Sequence, residues 1–212
     1  YGLVGSEMCI RDRIYCDRIR TAAKHGIQRL SNYILYNHKD TPEDFWERLK
    51  INIDLNRECD LKIYSFPMKY IPLNAKDRTY VDEPRWNWYF IRNVQRILNV
   101  LKGTVMTRED FFYRAFGENK EEFLTILHMP EEILMNRGRE PGADEKNWIR
   151  EFNKLGNSER KELLSILCGN RTNRKLFTAI SQTNNRKLKN ILDYYLKSKP
   201  NSDDFPLLAQ AQ

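Results

Sequence analysis

Few side chains in this chain have the chemistry of a catalytic or metal-binding group, and they are scattered. A thiolate can act as a nucleophile or a metal ligand, and Cys16, Cys59 and Cys168 are the cysteines to weigh. They are odd in number and widely spaced, with no pair at metal-ligand spacing, which suggests reduced thiols in a cytosolic setting and no disulfide framework. His25, His38 and His128 are isolated, with no His-x-x-x-His, and read as surface or capping residues. The acids Asp40, Glu43, Asp44 and Glu47 cluster as a carboxylate pair for acid–base work would, but they fall where a helix starts, and the helix dipole favours anions there. Trp86, Trp88, Tyr89 and Phe90 could stack nucleic-acid bases, although their helical spacing suits a core better. Gly-x-Ser-x-Gly, the phosphate-loop Gly-x-x-x-x-Gly-Lys and Gly-x-Gly-x-x-Gly are all missing.

The elements that must position these groups can be read from pattern and punctuation. Tyr15 to His25 has Ile19, Ala22 and Ala23 on one face and a stop at Gly26, as at the end of a helix. Ile27 to Asn37 is rich in β-branched and aromatic residues, and its centre, Leu30 to Tyr36, is a predicted strand. Asn37 to Asp40 is a turn. Thr41-Pro42-Glu43-Asp44 then starts a helix with a capping box and a proline in the first turn, and Trp46, Leu49 and Ile53 carry one apolar face to about Glu58. Leu61 to Phe66 reads as a second strand, stopped by Pro67. Strand, helix and strand at this spacing predict two adjacent parallel strands with a crossover. One edge of that pair should be bare and prone to aggregation.

Met68 to Arg85 has no period and contains Pro72 and Pro84, as a functional loop or linker would. After it the chain turns helical. Phe90, Val94, Ile97 and Leu101 share a face, and Thr107 with Asp110 and Asn119 with Glu122 look like two further helix starts. A turn over Gly138 to Asp144 precedes helices around Glu145–Leu155, Ser158–Cys168, Arg174–Ser181 and Lys187–Leu196. No run of about 18 apolar residues exists to span a membrane, and the expectation is a cytoplasmic protein.

Charge is uneven. Residues 150–200 hold twelve Lys or Arg against four Asp or Glu, in a chain whose formal net charge is +7. Such a region could attract nucleic acid. The solvated helical surface is the preferred reading, because Phe177, Tyr194 and Tyr195 look like core positions beside Leu176, Ile180, Leu188, Ile191 and Leu192.

Two stretches carry resemblances. Leu3 to Arg13, Leu-Val-Gly-Ser-Glu-Met-Cys-Ile-Arg-Asp-Arg, resembles one translated frame of a transposase adapter used in sequencing libraries, which also accounts for Cys9. Residues 1–13 are therefore set aside as adapter-derived, and the expectation is a gene that begins upstream of Ile14. Asn37-His-Lys-Asp-Thr-Pro-Glu-Asp-Phe45 resembles the "Gly-Phe-Pro-Gly-Glu-Thr-Glu-Glu-Asp-Phe" turn found late in the barrel of radical S-adenosylmethionine enzymes. Ile63-Tyr-Ser-Phe-Pro67 resembles the next barrel strand. Leu30 to Leu73 is similar to a branch of uncharacterised bacterial radical S-adenosylmethionine proteins, with the patterns "SNYxLYNxxDTPEDF" and "FPMKxIPL", and the helical stretch after it carries "RNVQxIL"; the resemblance covers roughly Ala22 to Gly117.

The resemblance implies an α/β fold: the last two parallel strands of a partial (β/α) barrel over residues 14–85, a mostly α-helical region over 86–200, and a tail over 201–212. It implies S-adenosylmethionine and a 4Fe-4S cluster in the intact protein. Cys16, Cys59 and Cys168 do not supply the family's Cys-x-x-x-Cys-x-x-Cys, so this chain alone should hold neither group fully, and its partner would be the missing N-terminal part of the same protein. The resemblance further implies cofactor contacts near Asn37, which stands where the family has its first turn glycine, and near Phe66, Pro67 and Met68, which would pass the adenine. The substrate and any catalytic residue stay unassigned. The alternative reading, from the charge alone, is a basic helical nucleic-acid-binding module.

Overall fold

The computed structural model describes the backbone of residues 3–75, 77–138 and 140–197, with side chains from residue 13 onward apart from residues 173 and 197; the 201–212 tail lies outside the described residues. The chain is mixed α/β and divides into two compact units, Tyr1–Leu127 and His128–Gln212. The helical region set at 86–200 is thus divided, and its first helices sit with the strands.

In the first unit, α1 (Leu3–Lys24) leads through Gly26 into β1 (Arg29–Tyr36), α2 (Pro42–Cys59) and β2 (Lys62–Lys69). The strands are parallel, with Leu30 opposite Ile63, Asn32 opposite Ser65 and Tyr36 opposite Lys69. The helix start reads as expected: Thr41 Oγ1 accepts from Asp44 N at 3.2 Å, and Asp44 Oδ2 accepts from Thr41 N at 2.9 Å. At its other end Asp60 adopts a left-handed φ of 51°.

Pro67 does not stop β2, which runs on to Lys69. The parallel pattern gives the reason. Lys62 N and Tyr70 N donate to Gln28 O and Tyr36 O, so even-numbered amides of β2 point at β1 and odd-numbered ones point away. Proline lacks an amide hydrogen, and position 67 needs none toward β1. The outward amides before it are occupied. Ile63 N donates to Asn56 Oδ1 at 2.7 Å, and Ser65 exchanges hydrogen bonds with Val105 at 2.8 and 3.3 Å. From Ile63 to Pro67, β2 is therefore a closed edge. Among the described residues no strand pairs with the far edge of β1.

The two sheet faces differ as sharply. Leu30, Asn32, Ile34 and Tyr36 alternate toward the helices, as do Ile63 and Ser65. Leu55, Leu61 and Ile63 form a buried cluster against which Tyr15, Cys16, Ile19 and Ala23 of α1 pack. A polar ladder crosses this interface: Asn52, 1% exposed, accepts from Tyr15 Oη at 2.7 Å and donates to Ser65 Oγ at 2.8 Å, while Asn32 Nδ2 donates to Tyr15 Oη. The opposite face lies open, with Tyr33 75%, Leu35 45% and Met68 48% exposed and the Tyr33 and Phe66 rings 5.8 Å apart.

Three helices complete the unit: α3 (Trp88–Val100), α4 (Glu109–Phe116) and α5 (Lys120–His128), whose last residue opens the second unit. Asn87 caps α3 and Asn119 caps α5 through Phe90 N and Glu122 N, both at 2.9 Å. Thr107 caps nothing: Arg108 occupies the cap of α4 without a side-chain bond, and Asp110 pairs with Arg108 instead of closing a box. Trp86, Tyr89 and Phe90 are core, and Trp88 is half-buried under the Arg92 guanidinium. Phe45, fully buried, gathers the rings of Tyr36, Trp86, Phe116 and Phe123 within 5.1–6.4 Å. Gly117 is needed at its place, with φ +81° and Phe123 N only 2.9 Å from where a Cβ would lie.

The second unit contains α6 (Glu131–Met135), α7 (Ala143–Phe152), α8 (Asn157–Gly169), α9 (Asn173–Gln182) and α10 (Arg186–Lys197). The short α6 is an addition to the four helices read from the sequence. Trp148 and Phe152 stack at 4.9 Å, and Leu163, Leu167, Leu176, Ile180, Leu188, Ile191 and Leu192 are buried. Tyr195 is buried, with its hydroxyl donating to His128 O, and Tyr194 is half-buried. Phe177 departs from the core position expected of it and is 64% exposed.

Two outcomes follow. Residues 1–13 resemble an adapter frame, so their deletion should leave the melting temperature unchanged; a clear drop by circular dichroism would show that the segment belongs to the fold. Asn56→Leu should destabilise by about 1–3 kcal/mol, because it strands the Ile63 amide in the interior. Urea unfolding of the two proteins measures it, and an unchanged midpoint contradicts it.

Candidate functional site

The C-terminal edge of a parallel sheet is where α/β folds bind ligands, and here two loops rise from it, residues 37–41 after β1 and 70–87 after β2. Asn37 ties them together. Its φ of 70° suits asparagine far better than most side chains. Its Nδ2 donates to Tyr70 O and Tyr80 O, each at 3.1 Å, and its Oδ1 accepts from Asp82 N at 2.7 Å. Both amide hydrogens are therefore occupied, and Asn37 is fully buried. It shapes the rim and has no side-chain donor left for a cofactor.

Two carboxylates complete the tie. Asp40, 2% exposed, accepts from His38 N at 2.8 Å and from Trp86 Nε1 at 2.9 Å, and pairs with the Arg48 guanidinium. Asp82 accepts from Lys39 N at 2.6 Å and holds Arg85 through Nη2, 3.0 Å from both carboxylate oxygens. Burial works against the charge on Asp82, but the Lys39 amide and the Arg85 guanidinium outweigh it and hold the carboxyl below its ordinary value of 3.8. Lys69, at the end of β2, donates from Nζ to Arg78 O at 2.8 Å. Burial lowers its pKa, with Asp77 pulling the other way. The His38 ring lies 4.1 Å from Tyr70.

The residues implied in cofactor contact separate by face. Phe66 and Met68 share the open face with Tyr33 and Leu35, forming an apolar wall below the rim. Pro67 alternates to the helix-covered face and is not part of that wall. The clustered acids have structural places: Asp44 closes the capping box, Asp40 anchors the loops, Glu47 pairs with Lys120 at 2.6 Å, and Glu43 sits in the first turn of α2. Cys16 and Cys59 pack against the Leu55 cluster behind the sheet, Cys168 belongs to the other unit, and among the described residues no three His, Cys, Asp or Glu side chains gather as metal ligands. These positions do not fit a 4Fe-4S cluster. Also among the described residues, no helix is long and apolar enough to cross a membrane. No family model, curated protein or solved structure matches the chain.

Asp82, Trp86 and Arg48 were not singled out from the sequence as loop anchors. The signal for the polar ladder was present: Asn52 and Asn56 lie four apart, on the helix stripe that also carries Leu49 and Ile53.

Because the folded pKa of Asp82 is depressed, its stabilising effect is present above the unfolded value and is lost as pH falls through the folded value. Asp82→Asn should therefore be less stable than the parent above about pH 5, with the gap closing in acid. A pH series of urea midpoints checks this, and a gap constant with pH would contradict it.

Proposed function

We propose that residues 14–85 are the last two β/α units of a radical S-adenosylmethionine barrel, and that the chain is the C-terminal part of such an enzyme. The observation that carries this reading is the asymmetry of the sheet. β2 is closed along Ile63 to Pro67 by Asn56, Val105 and a proline, whereas among the described residues nothing pairs with the far edge of β1, so further strands can add only on the β1 side. That is the situation of the terminal strand of a barrel that does not close. The faces agree with it: helices cover one side, and the side that would face a barrel interior carries Tyr33, Leu35, Phe66 and Met68. An apolar wall of this kind suits an adenine.

Within this reading the chain contributes positioning. Asn37, Asp40 and Asp82 hold the rim, and Phe66 and Met68 offer the wall. The three cysteines do not fit the cluster, so no radical step is assigned to this chain alone. The cluster ligands would belong to preceding strands, and S-adenosylmethionine would meet this rim only when those strands are present.

The chain reconstituted with iron and sulfide should show no 4Fe-4S absorbance. Joined to the protein encoded upstream of Ile14 in the uncut gene, it should gain the cluster and form 5′-deoxyadenosine from S-adenosylmethionine under reduction. An upstream region without β/α units and without Cys-x-x-x-Cys-x-x-Cys would overturn the proposal, as would a stoichiometric cluster in the isolated chain.

A further inference from the structure

The second unit carries a surface that the barrel reading does not use. From Leu163 to Leu192 the sequence has six cations, Arg171, Arg174, Lys175, Arg186, Lys187 and Lys189, and no Asp or Glu. Helix α9 lies in the middle of this stretch. It buries Leu176 and Ile180 and leaves most of its remaining surface exposed. An open groove of about 430 Å³ runs along Lys175, Thr178, Ala179 and Gln182 and is bordered by Arg174, Asn170 and Thr172. Among the described residues no carboxylate lines it. Among the described residues neither Arg174 nor Lys175 has an ion-pair partner, whereas Lys154 and Lys187 are paired with Glu151 and Glu159.

Phe177 does not line the groove but stands next to Arg174, which borders it. It is 64% exposed, and it follows Arg174 by three residues, so the two side chains are neighbours on the helix surface. An exposed phenylalanine contributes little to folding. Placed next to the unpaired Arg174, with Lys175 one residue further round the helix, it supplies a stacking face at the margin of a surface that can track phosphates.

We infer that α9 and its groove bind single-stranded nucleic acid, with backbone phosphates at Arg174 and Lys175 and one unpaired base on Phe177. The polyanion complements a groove without acids. The neutral groups of Asn170, Thr172, Thr178 and Gln182 can hydrogen-bond to sugar or base edges. A duplex keeps its base faces stacked inside and cannot offer one to Phe177. A membrane surface would require an exposed apolar helix face, and α9 shows a single large exposed hydrophobic.

Fluorescence anisotropy of a labelled oligouridylate against the full chain tests this, with duplex DNA and a polyglutamate peptide as competitors. The single strand should bind with a dissociation constant in the ~1–100 µM range and displace more readily with oligouridylate than with either competitor. Phe177→Ala should weaken binding at least about fivefold, and Phe177→Tyr should retain it. Arg174→Glu with Lys175→Glu should weaken it further and lower the salt slope by about 1.4, the share of two phosphates on a single strand. Phe177 is exposed, so its variants should keep the parent's thermal melt. Absence of saturable binding, equal competition by polyglutamate, tighter binding of duplex, or a Phe177→Ala protein that melts and binds like the parent would each overturn the inference.

Discussion

The first unit is organised by where the backbone amides of β2 find their partners. Alternate amides of a parallel strand point to opposite sides, and a buried amide without an acceptor costs about as much as several favourable contacts contribute. Those facing β1 are met by the strand ladder. From Ile63 to Pro67 the outward positions are met by three unlike devices: a helix asparagine, an isolated bridge from the chain after α3, and a proline that has no hydrogen to place. This closes the sheet on one side and requires α2 to lie where Asn56 can reach Ile63. It also brings residue 105 back to the sheet after a helix and two loops.

From that arrangement the rim follows. With β1 and β2 in register, Asn37 and Tyr70 emerge at the same level, and one side-chain amide spans the gap between their loops. Trp86 serves both the rim and the core. Its indole nitrogen donates to Asp40, and its ring joins Tyr36 and Phe45 in the aromatic cluster. Asn37 takes a left-handed turn, with φ 70°, that a glycine would adopt without strain. It adds three hydrogen bonds that a glycine could not make.

The second unit shows why a charge count is ambiguous. Several of its basic residues are neutralised locally by Glu151 and Glu159 and behave as ordinary solvated surface. The α9 stretch differs because its sequence holds no acid to do this, and because its one aromatic side chain points outward.

The sequence by itself determined the local elements: the strand–helix–strand order, the capping box at Thr41, the asparagine cap of α5 and the presence of the last four helices. These depend on residues within a few positions of one another, so period, caps and turn residues suffice to specify them. Parallel pairing was also legible, since a crossover of that length leaves few alternatives. Only the tertiary structure decided which polar residues are inside and which apolar ones are outside. Asn52 and Asn56 are buried because distant amides and hydroxyls satisfy them, and Pro67 continues a strand because its nitrogen faces away from β1. Phe177 stays in water because Leu176 and Ile180 take the buried face of α9. Each outcome depends on partners far along the chain, and local patterning carries no information about their positions.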